Sequence, residues 1–338
     1  MVLNGVRGPN RRSTIWAITS YFDPFNRGHR LPLYREFRRR LTVPLVTVEL
    51  AFRGDFHLRP GDAEVLIGLR GGSVLWQKER LLNVALDALP PHVQAVVWLD
   101  CDVIFLRPDW PQAVLRELEK VALLQPFRFL HYLDRYERPG SARLSSDHAV
   151  DAVAYRFVAG TLPDQVYRRS GLSRLLRYAP GMAWAARREV VQAHKLYDAE
   201  VLGPADKLML VAAAGRGDHA MPWMSEAHAR HYMKWAGPFG EAVGRNMSYI
   251  DGDLLHLWHG DLDGRRYAER MVGFREFGFD PATDLALSER GVWRWNTDKP
   301  EMQAFVAQQL SMISPPWLAM PERIDRVDER PRAACLTS

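Results

Sequence analysis

The sequence predicts an α/β fold with a mixed, mainly parallel sheet and helices on both of its faces. Apolar runs of strand length alternate along the chain with segments whose apolar residues recur at helical spacing. The chain has 338 residues, of which 47% are hydrophobic and 25% charged, so it can bury one large core.

The predicted elements begin with a strand over residues 14–20, which ends in turn chemistry around 23–28. A basic helix follows over 33–41 and a second strand over 43–50. The later elements are expected, in order, as a helix over 74–89, a strand over 96–102, a helix from Pro111, a strand over 121–127, loops and short helices over 131–175, a core segment over 183–191, a helix over 206–214 ended by Gly215, and a strand over 254–259.

Three regions are predicted: a basic arm over 1–12, one domain over 13–314, and a Pro-rich tail over 315–338 that is extended or disordered. The formal charge of +5 and the pI of about 9.3 favour anionic ligands without establishing nucleic-acid binding. Cys101 and Cys335 are too few for a disulfide framework. No apolar stretch approaches the roughly 20 residues that span a membrane, so a cytoplasmic protein is the default expectation.

The apolar run over 96–99 ends in Asp100 and Asp102, which are two residues apart. At this spacing both carboxylates leave the same face of a strand. They repel each other unless a divalent cation lies between them and a phosphate. The pair therefore predicts a metal and nucleotide-diphosphate site, against the plainer interpretation as a strand end with turn-forming aspartates.

A late segment, residues 253–260, contains His256 and His259. Neutral imidazoles suit Mn²⁺ or Zn²⁺. Positions i and i+3 face opposite sides of a regular strand, so both can bind one metal only if the strand bends near Gly260. His259 is the stronger candidate, and His256 is either a ligand or a core histidine.

Asp206 precedes an expected helix and is interpreted either as its N-cap or as a general base for an acceptor hydroxyl. Gly181 lets backbone approach a sugar, and Trp184 is either a wall beneath that sugar or a core residue. Lys78 lies on the apolar stripe of its helix, which indicates either an anionic partner such as phosphate or a side chain that extends to the surface. Asn83, on the same helix, belongs to the same candidate group.

In this order the motifs resemble the glycosyltransferases of the A-type (GT-A) fold, which is Rossmann-like and binds nucleotide-diphosphate sugars. The resemblance is to inverting enzymes such as the β-1,4-galactosyltransferases and family 2. It rests on Thr19-Ser20-Tyr21 at the end of the first strand, Asp-Cys-Asp at 100–102, Gly-Met-Ala-Trp at 181–184, Asp206, and His-x-x-His at 256–259.

The resemblance implies a Mn²⁺ or Mg²⁺ cofactor, a UDP-sugar donor and a hexosyltransferase activity. Asp102 and His259 would bind the metal, with His256 as a further ligand and Asp100 on the metal, through water, or on the ribose. Asp206 would be the catalytic base. The donor-binding candidates are Thr19, Ser20, Tyr21, Lys78, Asn83, Asp100, Gly181 and Trp184.

The acceptor is left open as a saccharide, a lipid-linked sugar, a protein or a nucleic acid. The arginines of the arm (Arg7, Arg11 and Arg12) and the run 38–40 suit a nucleic-acid acceptor, whose binding would depend steeply on salt. Two other classes are a non-catalytic sugar-nucleotide-binding protein and a nucleotidyltransferase. The latter calls for a Gly-rich, basic loop where this chain has Asp23-Pro24-Phe25-Asn26.

Overall fold

A seven-stranded sheet forms the centre of the computed structural model, which describes residues 13–25, 28–140, 144, 149–168, 178–260 and 267–313. The strands are β1 (Ile15–Phe22), β2 (Leu45–Ala51), β3 (Val65–Arg70), β4 (Ala95–Leu99), β5 (Val103–Phe105), β6 (Leu123–Gln125), β7 (Phe129–Tyr132), β8 (Val150–Ala152), β9 (Tyr178–Ala179), β10 (Ala183–Arg187), β11 (Met247–Tyr249), β12 (Asp253–His256), β13 (Leu285–Leu287) and β14 (Trp293–Trp295).

Helices connect these strands and cover the sheet. They are α1 (Arg30–Arg40), α2 (Lys78–Asp87), α3 (Trp110–Leu118), α4 (Val153–Val158), α5 (Gln165–Arg168), α6 (Arg188–His194), α7 (Ala205–Ala213), a 3₁₀ helix (Gly217–Trp223), α8 (Glu226–Val243), α9 (Tyr267–Arg275), α10 (Pro281–Asp284) and α11 (Pro300–Ile313).

The central sheet has the strand order β11-β6-β10-β4-β1-β2-β3. Strand β1 runs parallel to both β4 and β2, β2 runs parallel to β3, and β11 parallel to β6. Strand β10 is antiparallel to its neighbours β4 and β6. The predicted fold class, a mixed and mainly parallel sheet, is confirmed.

Alternate residues of β1 enter two different cores, one on each face of the sheet. Trp16 and Ile18 pack with α2 residues such as Leu82, whereas Ile15 and Ala17 pack with α1 and α3. Strands buried on both faces are typical of parallel sheets covered by helices. The helices on both faces were thus also predicted correctly.

A second sheet, with the order β5-β12-β7-β8-β9, lies beyond the end of β4. Strand β12 is antiparallel to β5 and parallel to β7, with His256 paired to Val103. This register holds the end of β12 beside the turn that joins β4 to β5. Strands β13 and β14 form a separate two-stranded sheet.

Several element boundaries differ from the predictions. Helix α2 begins at Lys78 rather than at residue 74, and the strand predicted over 96–102 ends at Leu99. The arm over 1–12 and the tail over 315–338 lie outside the described residues. Within the described part of the chain, no helix combines the length and apolar character needed to cross a membrane.

Candidate active site

Three side chains from distant parts of the chain converge next to the β4–β5 turn. The Nε2 atom of His259 lies 3.4 Å from Oδ2 of Asp102, and Nε2 of His256 lies 3.8 Å from Oδ1. One potential ligand atom from each residue lies within 4.8 Å of the others. The three side chains are only 5–12% exposed. We call Asp102, His256 and His259 the acidic-imidazole trio.

Local backbone geometry brings the two histidines of the trio to one side. Strand β12 ends at His256, so the alternation of a regular strand no longer applies at His259. Gly260 follows with a φ of +119°, a backbone region that favours glycine. The N–H of Leu257 donates to the carbonyl of Asp102 at 2.8 Å and ties this segment to the turn. The chain therefore bends near Gly260, as it must if both histidines are to bind one metal.

The trio has the donor set of a divalent-metal site. In the described structure Oδ1 of Asp102 is buried and has no hydrogen-bond partner, which is costly for a carboxylate oxygen. One carboxylate and two imidazoles suit Mn²⁺, Fe²⁺ or Zn²⁺. Three protein ligands also leave coordination positions for water or a substrate. These residues therefore fit a divalent cation of the kind that the sequence predicts.

Asp100 does not join the trio. Strand β4 ends at Leu99, and Cys101 and Asp102 form a turn, so Asp100 and Asp102 do not follow the i, i+2 geometry of a strand. Oδ1 of Asp100 instead lies 2.6 Å from Nζ of Lys78. The expectation that the two carboxylates leave one face of a strand is wrong, because the strand ends before either residue.

Lys78 links Asp100 to Asp206. Its Nζ atom lies 2.8 Å from Oδ2 of Asp206, and its side chain is 9% exposed. Burial raises the pKa of Asp206 and the charge of Asp100 adds to this, although the ammonium opposes both effects. Burial lowers the pKa of Lys78, but the two carboxylates outweigh it and hold that pKa well above its usual value. The ammonium therefore stays charged between two acidic side chains.

Asp206 is not an N-cap. Helix α7 begins at Ala205, with Pro204 at the cap position and no capping bond from a side chain. Asp206 lies inside the first turn, where the helix dipole favours a negative charge. Its carboxylate is thus oriented by Lys78 and by the helix N-terminus together.

Backbone from the turn after β9 packs directly on Asp206. A Cβ atom at Gly181 would lie 2.7 Å from Oδ2 of Asp206, which is closer than real Cβ contacts. The next residue, Met182, has a φ of +78°, which is unusual for a residue with a side chain. Its carbonyl accepts from the N–H of Asp100 at 2.8 Å. This strained turn therefore contacts both acidic residues that Lys78 joins.

Glu79 is a buried acid that the sequence analysis does not single out. It is 5% exposed, and its Oε2 accepts from the indole of Trp76 at 2.9 Å. It shares the lining of a small cavity with Asp206. Burial raises the pKa of Glu79 to about 8, with Lys78 opposing this and Asp206 adding to it. The sequence signal that could have indicated Glu79 is its position directly after Lys78, at the start of a helix whose apolar face carries that lysine.

The donor-binding candidates on β1 lie in the C-terminal half of this inner strand. The hydroxyl of Thr19 donates to the carbonyl of Leu99 at 2.7 Å, and Ser20 is 9% exposed. The phenol oxygen of Tyr21 lies 3.0 Å from Nδ1 of His57. Thr19 thus braces β1 against β4, directly before Asp100.

Two donor-binding candidates have structural contacts instead. Trp184 is fully buried in the core, and its indole donates to the carbonyl of Pro180 at 2.8 Å, so it cannot be a wall beneath a sugar. The carboxamide of Asn83 bonds the backbone N–H and carbonyl of Leu196 and the carboxylate of Asp198. The structure thus places Trp184 and Asn83 in the core and not in a donor site.

The arginine run 38–40 is partly neutralised by two acids on its own surface. Arg38 pairs with Glu64, and Arg39 and Arg40 both pair with Glu36. These pairs leave less uncompensated charge for a nucleic acid than the sequence suggests. The arm arginines, and Arg265 and Arg266 after the late histidines, lie outside the described residues.

Comparisons with known proteins give structural similarities alone. No protein-family model matches the sequence, and no curated protein matches it. The chain is similar over 83% of its length to Mycobacterium tuberculosis glucosyl-3-phosphoglycerate synthase in complex with Mn²⁺, uridine diphosphate and phosphoglyceric acid, with 87% of that chain covered, 14% identity and a TM-score of 0.39. It is similar over 88% of its length to Staphylococcus aureus TarS in complex with UDP-GlcNAc, with 72% of that chain covered, 9% identity and a TM-score of 0.40.

Both of these structures have the GT-A fold that the sequence motifs indicate. TM-scores of 0.39 and 0.40 assign no activity or substrate to this chain. The chemistry of this chain depends on its own side chains.

Proposed function

We propose that this chain is a metal-dependent glycosyltransferase that moves a sugar from a nucleotide-diphosphate sugar, most simply a UDP-sugar, to an acceptor hydroxyl. The observation that carries the proposal is the acidic-imidazole trio, with its unsatisfied Oδ1 atom of Asp102. Asp102 of the trio lies two residues along the chain from Asp100, which Lys78 connects to the candidate base Asp206. The order of the motifs along the sequence also supports this activity.

On the donor side, the trio would hold Mn²⁺ through one carboxylate and two imidazoles. When bound there, a divalent cation supplies Lewis-acid stabilisation of the negative charge on the departing diphosphate. Asp100 is assigned to the ribose or to water on the metal. Its contact with Lys78 fixes the orientation of the carboxylate. Ser20 and Gly181 remain donor-side candidates.

On the acceptor side, Asp206 is assigned as the general base. Its Oδ2 atom is engaged by Lys78, so Oδ1 would accept the proton of the acceptor hydroxyl. The acceptor oxygen forms a bond to the anomeric carbon while the bond from that carbon to the diphosphate breaks. The nucleotide diphosphate leaves with the electron pair, and a single displacement of this kind inverts the anomeric centre. The raised pKa of Asp206 suits a proton acceptor.

The experiment that tests the proposal is a donor screen. The purified full chain is incubated with Mn²⁺ and a panel of UDP-, GDP-, ADP- and TDP-sugars, and release of the nucleotide diphosphate is measured with and without EDTA. We expect slow hydrolysis of one donor that requires the metal and is lost in Asp102→Asn. Metal-dependent binding of UDP with no release from any donor would instead identify a non-catalytic binding protein.

A further inference from the structure

Lys207 is a buried lysine beside the candidate base that the proposed chemistry does not use. It follows Asp206 in the first turn of α7, and the residue is 6% exposed. Its ammonium lies 5.5 Å from the centre of the Tyr178 ring. Over the described ranges of the chain, we find no hydrogen bond or ion pair to this ammonium.

An unpaired buried ammonium is expensive, because burial removes the water that stabilises its charge. Burial alone lowers the pKa of Lys207 to about 7. The carboxylate of its neighbour Asp206 is directed at Lys78 and does not compensate it. Lys207 thus stands where a small negative charge would be stabilised.

Tyr178, whose ring faces this ammonium, carries a second group without a partner among the described residues. This residue is 2% exposed, and its buried hydroxyl has no hydrogen-bond partner in the described structure. A phenol hydroxyl can donate to an anionic oxygen. Tyr178 thus offers a hydroxyl donor as well as the aromatic face that lies near Lys207.

Both residues belong to the segments that meet at the candidate base, Asp206. Tyr178 lies in β9, directly before the turn whose Gly181 packs on Asp206. Gln125 fixes this segment by donating to the carbonyls of Ala179 and Gly181 at 3.1 Å and 3.3 Å. Lys207 and Tyr178 thus lie on the two segments of backbone that meet at Asp206.

We propose that Lys207 and Tyr178 form a subsite for an oxyanion, a carboxylate or a phosphate carried by the acceptor. The acceptor hydroxyl would then face Asp206 while its negative group binds Lys207. This inference rests on the proposed function for the identity of the ligand as an acceptor. The subsite itself can be tested without turnover.

The test is an NMR titration of the full chain with diamagnetic Zn²⁺ and UDP, in which lysine is labelled with ¹³C at Cε. The Lys207 resonance is assigned by its absence from Lys207→Met, and its titration is followed with sulfate, with glycolate or with neither. We expect the apparent pKa of Lys207 to rise by at least about one unit with a bound oxyanion, which corresponds to tenfold tighter binding to the charged form. Tyr178→Phe is expected to weaken the anion affinity at least about threefold.

The two probes separate the sources of the anion. A larger rise with sulfate indicates a phosphate-bearing acceptor, and a larger rise with glycolate indicates a carboxylate. An unchanged Lys207 titration with both anions overturns the subsite, because the wild-type chain itself is observed. Failure of the proposed function appears separately, as the absence of donor hydrolysis in the donor screen.

Discussion

Nζ of Lys78 lies 2.8 Å from Oδ2 of Asp206 and 2.6 Å from Oδ1 of Asp100, so a single ammonium separates two carboxylates. One carboxylate follows β4, and the other lies at the start of α7. The ion pairs therefore join the strand that leads to the trio with the helix that carries the candidate base. If the proposed function is correct, Lys78 sets the distance between the donor and acceptor halves of the site.

Replacing Asp206 with Asn is expected to reduce transfer by about 10²- to 10⁴-fold, the usual contribution of a general base. The amide keeps the shape of the side chain but accepts no proton from a hydroxyl. Mn²⁺-dependent binding of UDP, measured by calorimetry, should stay within about twofold of wild type. Asp218→Asn, at an exposed side chain, is the control. Transfer at the wild-type rate by Asp206→Asn would remove Asp206 from the mechanism.

The acidic-imidazole trio predicts a specific loss of metal affinity. His259→Ala and Asp102→Asn are each expected to weaken Mn²⁺ binding at least about tenfold, because each removes a direct ligand and even indirect partners contribute 10- to 100-fold. The matched control is His131→Ala. Its Nε2 atom lies 2.7 Å from Oδ1 of Asp253, and it is not part of the trio. Calorimetric titration of Mn²⁺ into the UDP-bound chain measures the difference, and equal affinities in wild type and His259→Ala would exclude this metal site.

The Lys78 ion pairs predict a stability effect that is independent of activity. Lys78→Met leaves Asp100 and Asp206 facing each other without a cation, and breaking such a buried pair costs about 3–5 kcal/mol. Adding Asp206→Asn to Lys78→Met should recover part of this loss, because one of the repelling charges is removed. Urea denaturation gives the free energies of unfolding.

Lys120→Met is the control for this cycle, since the Lys120 side chain is 70% exposed and its pair with Glu117 should contribute less than about 1 kcal/mol. If the double variant is no more stable than Lys78→Met, repulsion between the two carboxylates is not the source of the loss.

Sequence patterns draw attention to the members of the trio because each ends or follows a short, buried strand. Asp102, His256 and His259 were identified because an apolar run leads into each segment. The apolar run predicts a strand that reaches residue 102 and so favours Asp100 as a metal ligand, whereas β4 ends at Leu99. The contact between Lys78 and Asp206 depends on tertiary packing, which no local pattern encodes.

Local sequence patterns also miss two elements of the fold. Strand β3 lies at the edge of the sheet and is only partly buried, and Gly68 interrupts its pattern. Helix α8 contains Gly237, Pro238 and Gly240, residues that weaken a helix signal. Gly240 fits there because a Cβ atom would lie 2.6 Å from the carbonyl of Ala212, which shows that close packing against α7 determines this position.

The raised pKa of Glu79 predicts a pH-dependent difference in stability. With a pKa of about 8 in the folded chain and an ordinary one when unfolded, Glu79 holds its proton in the native state while the unfolded chain has lost it. Between about pH 4.5 and 8, the unfolded state therefore binds fewer protons, and the contribution of Glu79 to stability falls as pH rises.

Glu79→Gln removes this titration and keeps an acceptor oxygen for Trp76. We expect the free energy of unfolding of Glu79→Gln, relative to wild type, to increase by at least about 1 kcal/mol from pH 5 to pH 8. Denaturation at the two pH values measures this increase, in which other titrating groups cancel. A constant difference between the two proteins would mean that Glu79 is ionised in the folded chain.

The contact between Gly181 and Asp206 gives a steric test of the base assignment. Gly181 is not among the residues with positive φ, so alanine is compatible with its backbone and its effect comes from the added methyl group. That methyl group would lie 2.7 Å from Oδ2 of Asp206, and either the carboxylate or the turn must move. Because a shift of about 1 Å in a reacting group can cost about 100-fold in rate, Gly181→Ala is expected to lower kcat at least about tenfold.

The metal trio is untouched, so Mn²⁺ affinity should stay at the wild-type value. Gly140→Ala, at a glycine with no neighbouring atom within 4 Å of the added carbon, is the matched control. Steady-state kinetics with the donor that the screen identifies give kcat for Gly181→Ala and for the control. Full activity in Gly181→Ala would show that the orientation of Asp206 does not limit the reaction.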